Sequence, residues 1–327
     1  MSLHQELDRS LQFDAEYGGK LSSHLPMALA ALARLGASDE RLGQFAQRYT
    51  ARVGLRPAPP HQAWPAGDAW HGRFGDPSAW PAYCHLFTQW IGFEGAPTVL
   101  AQALPALMRG VGAAAFHGQI RSAHAIDSGH ELELAHALAY WACRWFSLGA
   151  PASGGSEHDP AAVLAQMRFE KPKRPLIAER MALVAARPGF AHAAAGFRID
   201  DEPATALQSL ATHAAALYAR SGHFTVLHLV TSAHAMRVLL STIDGDDACS
   251  AIGHYWLAYA AGVASSGLRE ADLSPAPGTA LRSWPELVAT ALASDDDHLI
   301  KLVDACREQE RFYGGMVWRE AASRALS

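Results

Sequence analysis

The 327-residue chain is short of cysteine, short of lysine and without long uninterrupted apolar runs. Its four cysteines, Cys84, Cys143, Cys249 and Cys306, lie far apart and form no CxxC pair. Neither a zinc ribbon nor a redox dithiol is therefore indicated. Free thiols fit a reducing cytoplasm, which is the expected location. Lys plus Arg (27) are outnumbered by Asp plus Glu (32), and no basic stripe occurs. Nucleic-acid binding has no electrostatic footprint here. No charge-free apolar stretch reaches the roughly 18 residues of a membrane span, so no membrane partner is expected. The opening MSLHQELDRSLQFDAEY is too polar and acidic for a signal peptide. GxSxG, HExxH and P-loop patterns are missing, and nothing points to a serine triad. Strand-like alternation is nearly missing too.

What is present is apolar, helical in period and rich in histidine. Half of the residues are hydrophobic and seventeen are His. Helices are expected over most of the chain, with glycine and proline at their ends. The run FTVLHLV looks β-like, but TSAHAMRVLL continues it at helical spacing, so the reading is helix. The expectation is an all-α protein, one large globular helical domain over residues 1–327 around a histidine-lined cavity. GAPASGGSEHDP at 149–160 is the best candidate for a flexible connection. Residues 54–80, rich in Pro, Gly, Trp and His, read as an extended loop. Trp64, Trp70 and Trp80 within it are expected to form a lid or rim.

The histidines carry the functional signal. A buried imidazole without a partner costs about 1–3 kcal/mol, so one in an apolar run needs a hydrogen bond or a metal. GHFTVLHLVTSAHAMRVLL contains His223, His228 and His234. LSSHLPMALAALARLGAS puts His24 at the head of a helix. GAAAFHGQIRSAHA brings His117 and His124, seven residues apart and nearly on one helix face. DDDHLIKLVDAC adds His298 and Lys301, three apart. For any one of these a satisfied core histidine is the simpler reading. Jointly, His24, His117, His228 and His298 point to four segments meeting at one centre. Neutral imidazoles without a nearby cysteine suit Fe, Mn, Cu or Zn. His61 and His158 sit in polar loops and read as ordinary surface residues. Asp295, Asp296 and Asp297 read as caps for the helix that follows.

Three further features have two readings each. GVGAAAFHG contains GxGxxA, but a helix rather than a strand precedes it, so close helix packing explains the glycines better than a nucleotide. Lys301 is either a surface lysine or a buried amine that carbon dioxide converts into an oxygen ligand. Arg121, four residues after His117, holds either an anionic or phenolate substrate or a helix-surface acid.

YGGKLSSHLPMALAALARLGAS, AAAFHGQIRSAHA, HFTVLHLVTSAHAMRVLL and DDDHLIKLVDAC occur here in an order that resembles the questin oxidase-like family. The resemblance runs from about Tyr17 to about residue 310. It implies oxygen-dependent oxidation or opening of aromatic, anthraquinone-like rings, described as Baeyer–Villiger or dioxygenase chemistry. It implies non-haem iron held by His24, His117, His228, His298 and a carboxylated Lys301; Arg121 and Tyr17 are expected near the mouth of that centre. O2 and an aromatic small molecule are the expected partners; NADPH follows from this resemblance alone. Fungal members tend to carry a further histidine where this chain has Arg144, and His136 is the residue expected to compensate. Two other classes stay open: a metal-dependent hydrolase or lyase, and a metal-free protein whose cavity binds a small molecule through its histidines.

Overall fold

The computed structural model describes the chain except residues 66, 153, 200, 201, 244, 270, 271, 274–279 and 327. Among the described residues sixteen α-helices dominate. The helices that matter for the site are α2 (Leu25–Leu35), α6 (His117–Ser128), α12 (Phe224–Leu240) and α15 (Asp297–Tyr313). They pack as a closed ring: α2 on α6, α6 on α12, α12 on α15, and α15 back on α2. The strand-like run in α12 is helical, because both of its faces are buried and a lone strand would leave its backbone unpaired. The only sheet among the described residues is a hairpin, β1 (Glu16–Tyr17) with β2 (Leu21–Ser22). One continuous apolar core runs from Leu7 to Ala322. No described helix is long and apolar enough to cross a membrane.

Around this ring lie α1 (Leu3–Ser10), α3 (Asp39–Val53), α4 (Trp80–Glu94), α5 (Ala96–Met108) and α7 (Glu131–Arg144). Short helices follow: α8 (Pro160–Leu164), α9 (Ile177–Ala185) and α10 (Phe190–Ala194). The chain then forms α11 (Pro203–Ser221), α13 (Gly245–Ser266), α14 (Trp284–Ala293) and α16 (Val317–Arg324). The stretch 149–160, of which residue 153 lies outside the described residues, carries a parallel bridge between Glu157 and Phe197. The tryptophans of the 54–80 loop do not form a lid. Trp64 packs on Tyr83, Trp70 packs on Phe87 and Trp90, and Trp80 is the first, buried residue of α4.

The glycines of GVGAAAFHG serve packing. α6 and α7 approach so closely that a Cβ on Gly118 would lie 2.7 Å from Trp141 Cγ and 2.9 Å from its Cα. Backbone cannot retreat cheaply, so Gly118→Ala forces the two helices apart. The expected cost is roughly 1–3 kcal/mol, read as a lower thermal midpoint. An unchanged midpoint would mean that α6 and α7 are not in this contact.

Candidate metal centre

Four imidazoles meet where the N-terminal ends of four helices converge. His24 is the N-cap of α2, His117 opens α6, His298 is the second residue of α15, and His228 lies one turn into α12. Their rings close a quadrilateral. Centroids are 4.6 Å apart for His24–His117, 5.1 Å for His117–His228, 5.6 Å for His228–His298 and 4.6 Å for His298–His24. Imidazoles bound through Nε2 at about 2.1 Å and at right angles would have centroids about 4.5 Å apart. The quadrilateral is close to that size.

The hydrogen bonds fix which nitrogens are free. His117 Nδ1–H donates to the Ala114 carbonyl at 2.5 Å, and His228 Nδ1–H donates to Phe224 O at 2.9 Å. His24 Nδ1–H donates to Asp297 Oδ1 at 2.5 Å. His298 Nδ1 lies 3.0 Å from the same oxygen, and its Nε2 is enclosed without a hydrogen-bond partner. Each ring thus faces an oxygen through Nδ1. This is how metal-binding histidines are oriented by their surroundings. Among the described residues the ligand atoms that lie within 4.8 Å of one another here are those of His24, Asp297 and His298, with His117 Nε2 adjoining His24 Nε2. His24 Nε2 and His117 Nε2 then face each other at 2.7 Å with lone pairs on both. Two neutral imidazoles in these tautomers repel at that distance. Either one carries an extra proton, or both nitrogens turn towards a cation at one side of the pair. Protonation is opposed: burial, with the Lys301 charge, lowers His24 to about 3, and burial pushes His117 and His228 well below the usual value. The donor set therefore fits a metal cation.

A strained turn delivers His117. Ala114, Ala115 and Phe116 hold φ of 48°, 57° and 71°, a left-handed turn without glycine. Such a turn costs roughly 1–2 kcal/mol per residue. It brings the Ala114 carbonyl onto the His117 ring and sets Ala114 and Ala115 in the cavity wall.

Asp297 is the residue that sequence reasoning missed. It was expected to be a helix cap, and Asp296 does that job, accepting from His298 N and Leu299 N. Asp297 turns inward instead and is shared by His24, His298 and Arg52. Burial would raise its pKa, but bonds to His24 and His298 and the Lys301 charge hold it well below the carboxylate range. The centre is therefore not devoid of carboxylate. Tyr49 completes the support by accepting the His24 backbone N–H at 2.7 Å. No spacing signal links Tyr49 or Asp297 to His24, because both pairs are set by tertiary packing.

Lys301 is buried beside the ring and makes no hydrogen bond or ion pair among the described residues. Burial lowers its pKa to about 8. Its charge acts on His24, His117 and His228.

A cavity of about 420 Å³ opens on the centre. His24, His117, His228 and His298 form its floor, and Tyr17 from β1 lies in its wall. Leu176, Ile177 and Phe224 give it apolar sides. Nothing in the sequence of the Pro175–Glu179 segment signals that it bounds a cavity. Arg144 also lines the wall, paired with Glu16.

Arg121 is not at the mouth. It lies on the face of α6 towards α7, where its Nε and Nη2 donate to Glu133 at 2.5 and 2.9 Å. Both groups are buried. Of the two readings of Arg121, the acid partner is the one present. Glu133→Ala leaves a buried guanidinium unpaired and is expected to cost about 3–5 kcal/mol, measured by denaturant unfolding. A loss under about 1 kcal/mol, the range of exposed pairs, would show that the pair is solvated. His136 does not compensate for Arg144 either; it faces His61 and Trp80, away from the centre. His124 and His234 form a separate network with Arg34 and Arg237.

The sequence model of the questin oxidase-like family matches residues 21–306 of this chain. The chain belongs to that family. All four histidines, Asp297 and Lys301 lie inside the matched range; Tyr17 lies just outside it. No curated protein matches the chain by sequence. Questin oxidase-like membership places the chain among oxidase-type proteins. In this family member the four imidazoles and the cavity above them are one continuous feature.

Proposed function

We propose that the protein is a non-haem iron oxygenase that oxidises or cleaves a hydroxylated aromatic or polycyclic ring. One observation carries the reading: His24 Nε2 and His117 Nε2 lie 2.7 Å apart while the Nδ1 of each ring faces an oxygen. Iron suits imidazole ligands, and with positions left open it supplies oxygen activation. His24, His117, His228 and His298 would hold it, with Lys301 as a further ligand once carboxylated. Asp297 keeps His24 in the tautomer that presents Nε2. The apolar wall of Leu176, Ile177 and Phe224 packs an aromatic face and excludes water. Four helix N-termini favour an anion in front of them, which matches a phenolate-bearing ring such as a hydroxyanthraquinone. Tyr17, its pKa raised by burial, stays protonated and can donate a hydrogen bond to such a substrate.

The test is oxygen uptake by chain purified without a nickel column and loaded with Fe(II), using a hydroxyanthraquinone panel with and without NADPH. Substrate-dependent oxygen consumption is expected. Turnover of a substrate without oxygen uptake would favour the hydrolase or lyase class. Tight binding of the panel with neither metal nor turnover would favour the binding protein.

A further inference from the structure

A second cluster of metal-binding side chains lies away from the iron-type centre. α4 carries Cys84, α7 carries His136, and the Pro-rich loop before α4 carries His61. One ligand atom from each, the Cys84 Sγ and one ring nitrogen of each histidine, lie within 4.8 Å of one another. The His61 and His136 rings are 5.4 Å apart, and Trp80 meets His136 edge-on at 5.9 Å. His136 is 3% exposed, and its Nδ1 is enclosed without a hydrogen-bond partner among the described residues. A buried nitrogen left so costs about 1–3 kcal/mol, and hydrophobic packing alone gives no return for it.

We infer that His61, Cys84 and His136 form a zinc site with one thiolate and two imidazole ligands, independent of the four-histidine centre. Tetrahedral zinc places N and S ligands about 3.3–3.8 Å apart. The cluster needs to close by about 1 Å, and His61, exposed and on a loop, is the part able to move. The donor types exclude Mg2+ and Ca2+, which take oxygen; one thiolate with two imidazoles serves zinc or copper, and a fourth position open to water on the exposed side favours zinc. Nearby charge is mixed: Arg121 bears on both Cys84 and His136 and pairs with Glu133, while Glu133 and Asp14 add negative charge in range of Cys84. Burial pushes the Cys84 thiol up, so the metal-free site holds a neutral thiol. Binding replaces the S–H bond with a zinc–sulfur bond and releases that proton to solvent. A water completes the four ligands on the exposed His61 side. The ion would pin the loop that sequence reading left as surface onto α4 and α7.

The test is titration of the full chain, stripped with a chelator, with Co2+ as a spectroscopic stand-in for zinc. The expected result is a sulfur-to-cobalt charge-transfer band that saturates at one equivalent beyond the Co2+ held by the four-histidine centre and is lost when Zn2+ is added. The four-histidine centre has no sulfur, so that band reports the second site alone. Cys84→Ser should abolish the band. His61→Ala, on an exposed loop where folding is not at stake, should weaken Zn2+ by more than the roughly 10–100-fold that loss of a supporting partner costs. A wild-type titration without the band, a band that survives Cys84→Ser, or unchanged Zn2+ affinity in His61→Ala overturns the proposal.

Discussion

Replacing Lys301 with alanine is expected to remove most of the bound iron and the turnover together. The His24, His117 and His228 imidazoles are held neutral, and four helix N-termini add positive potential at the same place. A divalent cation there needs anionic ligands or neighbours. Asp297 supplies one charge, but both of its oxygens are engaged by His24, His298 and Arg52. Of the carboxylates in the cavity wall, Glu16 is paired with Arg144 and Glu179 lies on the far segment; Lys301 is the candidate on α15 itself. With its pKa lowered to about 8 by burial, a fraction of the amine is neutral near pH 7. The neutral amine adds carbon dioxide to give a carbamate and a proton, which turns a repelling ammonium into an oxygen ligand. Iron content measured after desalting should fall at least tenfold in the alanine variant. Bicarbonate should speed iron loading of stripped wild type and have no effect on the variant. Full iron content in Lys301→Ala would show that Lys301 is not a ligand.

The metal-free protein is expected to lose its fold sharply in mild acid. His24, His117 and His228 are held neutral in the folded chain, with His24 lowered to about 3. In the unfolded chain they titrate near 6.5. Depressed folded values mean that the unfolded state binds more protons below about 6.5, so stability is full above that pH and falls as pH drops. Two such groups already give nearly 3 kcal/mol per pH unit. That is enough to exhaust a stability of about 5–15 kcal/mol within a few units. Asp297, also depressed, adds its share only below about 4. Circular dichroism of the apo protein should show cooperative helix loss between about pH 6 and 4. A helical signal unchanged down to pH 4 would mean that these histidines are solvated.

How much of this was legible in the sequence follows from which interactions are local. The all-α fold and the helix limits come from periodicity and caps, which are local. His24, His117, His228 and His298 stand out because imidazoles are out of place in alanine- and leucine-rich runs, and the structure brings the four rings together. Arg121 shows the limit of spacing arguments. It shares the general direction of His117 on α6, yet one helix touches two neighbours, and Arg121 faces α7 and Glu133. Asp297 was hidden among three consecutive aspartates. Asp296 satisfies the local cap, while the partner of Asp297 is 273 residues away. His61 was hidden for a similar reason, in a polar loop that folds over Cys84 and His136.

X-ray absorption at the iron edge, on wild-type chain loaded with one equivalent of Fe(II), tests the four-histidine centre most directly. The account predicts a shell of nitrogen and oxygen only, at about 2.1 Å, with the outer-shell scattering of several imidazoles and its loss in His117→Ala. A sulfur shell, or iron that shows no imidazole scattering, would contradict it.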